Sequence, residues 1–300
     1  MIKIPDNVRK FLHAHVSECN DKIAYDLATF PSTHEESLDL SFISHFASKQ
    51  GPFRFGSNWT LRFDAHYIGG GHHFRNWEVA DLGLMVIFRR RGKIIRSKLA
   101  FLQSKKLYAN SLKYKPKDPY YRVGMGRLLV TEDEHKELVN PRVLKFDEGC
   151  KYKAFRKDNA QQNAMSRFSE HFDIKMYYLF YNPSIIPWSI RMPVETMPTI
   201  KKNVVGCRIV PKNFLDSALR DYGKRHAPSY GDIKYLLEDE FTEKRHDAGW
   251  RLEYFINDLL IDCKEGMIDD SPNFQTMVSL FQQKTSPISS ALSITFDVVE

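Results

Sequence analysis

The sequence predicts a mixed α/β or α+β fold, in which helices flank one central sheet. Three observations predict it. Amphipathic helical patterns occupy the first 50 residues, strand-like runs follow between residues 59 and 107, and both patterns recur after residue 150. With 300 residues, of which 42% are hydrophobic, the chain is long enough to bury a large core.

Two helices are predicted at the start of the chain. The first lies within residues 1–20, where the apolar stripe consists of Val8, Phe11, Leu12 and Val16. The second spans residues 31–50, with Thr33 as the predicted N-cap and Glu36, three residues later, completing a capping box. Glu35 precedes Leu38 by three residues, so we expect it to share the inward face of this helix.

Three strands are predicted next. Residues 59–68 alternate apolar and polar side chains, and residues 81–88 are nearly all apolar, as in a strand covered on both faces. Arg91-Gly92 signals a turn, after which residues 94–107 return as a third strand. Later helices are expected over residues 156–171, 212–222, 229–240 and 248–264, and later strands over 175–181, 204–210 and 291–299.

Composition and missing motifs exclude several classes of protein. There is no run of about 18 apolar residues and no apolar leader, so we expect neither a membrane helix nor a secretory signal. The chain has no P-loop, G-x-S-x-G or kinase motif. The cysteines are scattered without C-x-x-C spacing, which favours reduced thiols in a cytoplasmic protein: Cys19, Cys150, Cys207 and Cys263.

The charge of the chain is compatible with a polyanionic partner. Its net charge is +7 and its pI is about 9.0, and many of its basic residues fall between residues 89 and 117. Within this stretch we predict nucleic-acid contacts at Arg89, Arg90, Arg91 and Lys106. A hairpin whose lysines and arginines are merely solvated explains the same pattern, and composition alone leaves both interpretations open.

Polar residues interrupt the third predicted strand. Gln103 and Lys105 are two positions apart and therefore share a face, whereas Leu102 and Ser104 point to the other. If buried without partners, such groups would cost several kcal/mol. This cost indicates that a function or a specific partner retains them.

The hairpin register supplies a partner. With a loop over residues 91–93, the numbers of paired residues sum to 184, which places Asp81 opposite Gln103 on one face. A loop one residue longer or shorter reverses this parity unless a bulge restores it. A carboxylate, an amide and an ammonium would then meet, and the acidic first turn of the second helix, with Glu35 and Glu36, is the natural source of a second carboxylate.

This set of groups suits phosphodiester hydrolysis. Mg²⁺ prefers hard oxygen ligands and keeps several waters, so one or two carboxylates and a substrate phosphate hold it; Mn²⁺ accepts the same ligands. The metal polarises a phosphoryl oxygen and acidifies a bound water. A nearby lysine offers a charge that stabilises the transition state.

Asp81, the strand–turn–strand separation of 21 residues and the sequence Gln103-Ser104-Lys105 resemble the restriction-endonuclease-like PD-(D/E)xK nucleases. The resemblance is closer to the branch in which glutamine replaces the second acid, as in Mrr-like and anti-phage defence nucleases. It implies that Asp81 is the main metal ligand, that the Ser104 carbonyl or the Gln103 side chain completes the shell, and that Lys105 is catalytic. Glu35, or alternatively Glu36, would be the helix acid. Ala80, where the plain motif has proline, is a departure.

The resemblance also implies a setting. Residues 1–150 would form a nuclease core with a three-strand meander, and residues 151–300 the rest of the fold with a C-terminal α/β elaboration, unless both form one continuous domain. The expected activity is Mg²⁺- or Mn²⁺-dependent cleavage of DNA in bacterial defence or restriction, with a partner ATPase or a homodimer as candidate assemblies. The alternatives are a nuclease acting on RNA and a non-catalytic nucleic-acid-binding or complex-forming subunit.

Histidines form two further groups. His72 and His73 follow Gly69-Gly70-Gly71, and we interpret them as part of a flexible loop that touches DNA near the site; adjacent histidines on an extended chain chelate a metal poorly. His13 and His15 lie two residues apart on the first helix and do not face each other. We expect both of them at the surface.

Overall fold

A nine-stranded sheet with helices against it organises the chain. The computed structural model describes residues 3–67, 79–112, 143–155, 160–191, 203–223, 226–238, 248–269 and 288–298. The predicted mixed fold, with a central sheet flanked by helices, is confirmed. His72 and His73 lie outside the described residues.

The first two helices are α1 (Asp6–Thr29) and α2 (Glu35–Ala47). Helix α1 extends beyond its predicted end because buried apolar residues continue through Leu27. The predicted capping box of α2 is wrong, since the N-cap is His34 and no side chain caps the helix. The reason is tertiary: the Thr33 carbonyl accepts a hydrogen bond from Lys106 Nζ, which holds the segment before α2 in place of a local cap.

The strands form two sheets, whose members are listed here in chain order. The main sheet contains β1 (Phe53–Phe55), β2 (Trp59–Tyr67), β3 (Ala80–Arg90), β4 (Lys93–Lys106), β7 (Met176–Tyr181), β9 (Arg208–Pro211), β10 (Trp250–Arg251), β11 (Met267–Asp269) and β12 (Ile288–Val298). The second contains β5 (Asn110–Leu112), β6 (Val143–Phe146) and β8 (Trp188–Arg191). The main order is β1-β2-β12-β3-β4-β7-β9-β10, and β11 pairs with the first half of β4.

Strand β12 lies between β2 and β3, so the predicted three-strand meander is wrong. It runs antiparallel to β2 and parallel to β3, over almost its whole length in both cases. Alternation along β2 and the apolar run of β3 identify both strands correctly, but neither pattern carries information about which strand lies beside it. As a result, one sheet contains strands from both sides of residue 150.

The β3–β4 hairpin keeps the predicted register by a different route. Its loop has two residues, Arg91 and Gly92, because Arg90 pairs with Lys93. Both loop residues have positive φ, at 51° and 75°, as a type I′ turn requires. A bulge after Phe88 then restores the expected parity, and the pairs from Phe88 to Leu82 have numbers that sum to 184.

The later helices differ from their predicted bounds within the residues that the structure describes. They are α3 (Ala160–Phe172), α4 (Lys212–Ala218), α5 (Tyr230–Ile233) with the 3₁₀ turn Lys234–Leu236, and α6 (Leu252–Tyr254), which continues as the π-helical turn Phe255–Leu260. The segment predicted as one helix over 248–264 begins with β10 instead. The four cysteines are free thiols. Among the described residues, no helix is both long enough and apolar enough to cross a membrane.

Leu292 should contribute strongly to stability because it is fully buried in β12, between β2 and β3. We expect Leu292→Ala to lower the free energy of unfolding by about 2–5 kcal/mol through lost burial and a residual cavity. Leu40→Ala is the matched control, since Leu40 is 45% exposed on α2. Urea denaturation of both variants tests this, and equal losses would contradict the central position of β12.

Candidate active site

The predicted polar residues meet where β3 begins and β4 ends, beside the first turns of α2. The last ladder pair of this hairpin is Leu82 with Leu102, and Asp81 and Gln103 follow it on their two strands. Gln103 Nε2 donates a hydrogen bond to Asp81 Oδ2, as the register predicted. The two strands separate here, which leaves room for side chains from a helix.

Asp81 is held by donors on one side of its carboxylate. Besides the Gln103 amide, the backbone N–H and the hydroxyl of Ser104 donate to Asp81 Oδ2, at 2.7 and 2.8 Å. The Ser290 hydroxyl of β12 donates to the Asp81 carbonyl at 2.7 Å, which fixes the backbone. All the hydrogen bonds described for this carboxylate therefore end on Oδ2, and none of them ends on Oδ1.

Lys105 joins α2 to the end of β4. Its Nζ donates to Glu35 Oε1 at 3.2 Å and to the Ser104 carbonyl at 2.5 Å, and the side chain is only 3% exposed. The other oxygen of Glu35 accepts from the backbone N–H of Lys106 at 2.8 Å. Glu35 is thus the helix acid that reaches the site, whereas Glu36 is exposed. The Ser104 carbonyl, predicted as a metal ligand, is occupied by the lysine.

Asp39 is a third carboxylate at this site that the sequence analysis missed. It is buried, and its Oδ1 accepts from the Tyr181 hydroxyl of β7 at 2.7 Å. Its Oδ2 lies 3.0 Å from the Ser104 hydroxyl. The signal was available in the sequence, because Asp39 follows Glu35 by four residues and therefore shares its helix face.

Burial and neighbouring negative charges raise the proton affinity of all three carboxylates. Burial raises the pKa of Glu35 and Asp81 above the ordinary value and raises the pKa of Asp39 well above it. The charge of Asp81 adds to the effect on both Glu35 and Asp39. Burial alone would lower the pKa of Lys105, but the surrounding carboxylates outweigh it and raise that pKa. The site therefore carries more negative charge than the Lys105 ammonium offsets.

The geometry around Ser104 indicates where a proton resides. The Ser104 hydroxyl has one proton but lies within hydrogen-bond distance of both Asp81 and Asp39. Both contacts are satisfied when Asp39 is protonated and donates to Ser104 Oγ, which then donates to Asp81. The strongly raised pKa of Asp39, caused mainly by burial, agrees with this arrangement.

The predicted nucleic-acid contact of Lys106 is wrong, whereas those of Arg89, Arg90 and Arg91 stay predictions. Lys106 is 1% exposed, and its Nζ donates to the carbonyls of Pro31, at 2.7 Å, and Thr33, so it fixes the start of α2 and does not face a ligand. Burial lowers the pKa of this lysine to about 8. Arg89, Arg90 and Arg91 lie at the far end of the hairpin, eight residues from Asp81, which is about 26 Å along a strand. They and the carboxylates do not form one compact face, as the basic stretch had suggested.

The residues present fit a hard divalent cation. Gln103 Oε1 is buried and has no hydrogen-bond partner, although it sits beside the carboxylate of Asp81. An orphaned amide oxygen and excess carboxylate charge are what Mg²⁺ or Mn²⁺ would satisfy. In the described part of the chain, no choice of one oxygen from each of Glu35, Asp39 and Asp81 brings all three within 4.8 Å of one another. One ion would therefore bind two carboxylates at most without rearrangement, which is enough for Mg²⁺.

Comparison with known proteins gives no relative: no family model, curated protein or solved structure matches the chain. Membership of the PD-(D/E)xK superfamily stays a prediction from the residues quoted above.

Replacing Asp39 should separate its charge from its hydrogen bonds. We expect Asp39→Asn to be at least as stable as the wild type at neutral pH, because an amide resembles the protonated acid. Asp39→Ala should lower the free energy of unfolding by about 1–3 kcal/mol, because it leaves the buried Tyr181 hydroxyl without its hydrogen-bond acceptor.

The difference in the free energy of unfolding between Asp39→Asn and the wild type should also depend on pH. A carboxyl whose pKa is raised in the folded state keeps a proton that the unfolded chain releases. The free energy of unfolding of the wild type therefore falls as the pH rises above 3.8, the ordinary pKa of aspartate. The fall is no more than about 1.4 kcal/mol per pH unit. The advantage of Asp39→Asn should therefore grow from pH 5 to pH 8 in thermal melts. A difference that is constant across this range would mean that Asp39 is ionised throughout.

Proposed function

We propose that this protein is a Mg²⁺- or Mn²⁺-dependent nuclease that hydrolyses phosphodiester bonds of DNA. The observation that carries the proposal is the convergence of Asp81, Gln103, Lys105 and Glu35 at one strand end, with Gln103 Oε1 unpartnered. Structural ion pairs alone do not account for that oxygen. They also do not account for a third carboxylate, Asp39, placed where burial and the charges of Asp81 and Glu35 raise its pKa well above the ordinary value.

Each residue has a definite part in the proposed reaction. Asp81 and Gln103 would hold the cation, with Asp39 or Glu35 as the second carboxylate. When bound, the cation supplies Lewis acidity toward a phosphoryl oxygen and a water of lowered pKa. Lys105 keeps its proton and is aimed by Glu35 and the Ser104 carbonyl, so it offers a fixed positive charge to the phosphorane-like transition state.

The biological setting of the proposal follows from the resemblance alone. A Gln-type PD-(D/E)xK site implies a bacterial defence or restriction nuclease that acts in the cytoplasm on DNA, as a homodimer or with a partner ATPase. The same site chemistry would serve an RNA substrate, so the assay includes one.

Cleavage assays test the proposal. We expect purified protein to cut supercoiled plasmid in Mg²⁺ or Mn²⁺, and Asp81→Asn and Lys105→Met to reduce the rate by at least about 100-fold. Asp64→Asn and Lys175→Met are matched controls, since both residues lie in ion pairs on other strands or loops. Circular dichroism would verify folding of every variant. Equal cutting by all variants would contradict the assignment of the active-site residues. Faster cutting of single-stranded RNA than of plasmid would replace DNA by RNA as the proposed substrate.

Metal binding should be measurable without turnover. We expect Mn²⁺ to raise the melting temperature of the wild type, by an amount equivalent to about 2.7 kcal/mol at 100 times the dissociation constant, and to leave Asp81→Asn unchanged. The effect should be larger at pH 8 than at pH 6, because ligation displaces protons that the raised carboxyl pKa values retain. No metal-dependent shift, together with no cleavage of DNA or RNA, would exclude the proposed function.

A further inference from the structure

A second group of ligand-type side chains lies between α1 and α2, away from the carboxylates. His15 and Glu18 are three residues apart on α1, and His45 is on α2. One nitrogen or oxygen from each lies within 4.8 Å of the other two. It is the one set of three His, Cys, Asp or Glu side chains in the described ranges that meets this condition.

His15 is buried without hydrogen bonds, which corrects the expectation that it lies at the surface. It is 3% exposed and is packed against the rings of Phe46 and Phe63, with centroid separations of 5.0 and 4.9 Å. Its Nε2 has no partner, and its Nδ1 lies 4.0 Å from Glu18 Oε2, too far for a hydrogen bond. A buried imidazole whose Nε2 has no partner, and whose Nδ1 faces a carboxylate beyond hydrogen-bond distance, leaves room for a ligand between His15 and Glu18.

The hydrogen bond of His45 fixes which of its ring nitrogens is free to bind a metal. Its Nε2 lies 3.0 Å from the backbone carbonyl of His15. Because a carbonyl only accepts, Nε2 carries the proton and Nδ1 keeps its lone pair. A histidine that ligates a metal through one nitrogen commonly donates its other N–H to a carbonyl, which fixes the tautomer and the ring direction.

The electrostatics leave both imidazoles neutral and therefore able to ligate. Burial lowers the pKa of His15 to about 4, assisted by His45 and Lys49, and burial also lowers the pKa of His45. Neutral histidine needs no deprotonation before it binds a metal. Lys49 Nζ contacts Glu18 Oε2 at 2.9 Å, but this pair is solvent-exposed and contributes little, so a dication can replace it.

We propose that His15, His45 and Glu18 bind a zinc ion that fastens α2 to α1. Two imidazole nitrogens and one carboxylate oxygen form a common zinc ligand set, with water in the fourth position. In a tetrahedral site the ligand atoms are about 3.3 Å apart, so the side chains must close by less than 1.5 Å from their present separations. The two imidazole rings, whose centroids are 4.5 Å apart and whose planes differ by 29°, must turn toward each other before both ligand nitrogens point at one ion.

A zinc ion at this site would help to position two of the carboxylates, because they are on the same helix as His45. His45 is on the same helix as Glu35 and Asp39, so an ion at His45 fixes the axial position and rotation of α2 against α1. This zinc is structural and separate from the divalent cation of the proposed nuclease. The inference does not depend on that function.

Zinc binding by the full chain tests the inference. Protein freed of metal by a chelator is titrated with Zn²⁺ in competition with a chromophoric indicator. We expect the wild type to bind one zinc ion tightly per chain. Glu18→Gln and His45→Gln should each lower the zinc affinity by at least roughly 10- to 100-fold, which is the loss seen when only a hydrogen-bond partner of a ligand is removed. Glu18 is exposed and His45 is half-buried, so neither substitution should prevent folding.

Two controls make the result specific. His13→Gln changes an exposed histidine on the same helix, and Asp81→Asn disables the carboxylate site. Both should bind zinc like the wild type. The inference is overturned if the wild type binds no zinc, if Glu18→Gln and His45→Gln bind it unchanged, or if Asp81→Asn is the variant that loses it.

Discussion

The shared burial of Glu35, Asp39 and Asp81 is the constraint on which the rest of the site depends. Each would prefer to ionise in water, and together they face one bonded ammonium, that of Lys105. The protein compensates with neutral donors: two backbone N–H groups, an amide, and the hydroxyls of Ser104 and Tyr181. These donors come from β4 and β7, whereas the carboxylates come from α2 and β3, so the carboxylates can remain together only while all four elements keep their places.

This arrangement stores electrostatic energy rather than minimising it. A well-paired buried network gives every charge a partner, whereas here one carboxyl is driven to keep its proton and one amide oxygen has no partner. Natural proteins accept such departures mainly at sites that bind or react. A cation would remove both departures at once, which is why the same features that weaken the ligand-free protein favour metal binding.

The residues of the site that the sequence predicted are those that local sequence patterns identify. Asp81, Gln103 and Lys105 stand out because they interrupt apolar strands. The Arg91-Gly92 turn signal places the hairpin, but the pairing of Asp81 with Gln103 also depends on the bulge after Phe88, which the sequence did not predict. Glu35 follows from helical periodicity. Asp39 obeys the same periodicity but was overlooked beside the two acids of the first turn.

Other features depend on contacts between distant segments, which local patterns do not contain. The basic character of Lys106 suggests a surface residue, and only the carbonyls of Pro31 and Thr33 explain its burial. His15 looks like a surface residue until α2 and β2 cover it. The position of β12 is the largest case, because a strand almost entirely buried by two neighbours could equally be placed at several points of a sheet.

The place of β12 bears on how the chain reaches its native state. Strands β2 and β3 are close in sequence, yet the strand that lies between them, residues 288–298, arrives from some 200 residues away. Contacts of such long sequence separation slow folding, because loop closure precedes their stabilisation. Until then β2 and β3 each present an unpaired edge, which other chains can extend. Folding of this protein in a cell is therefore the kind that benefits from chaperones, and a nascent chain lacking β12 would have an incomplete sheet beside Asp81.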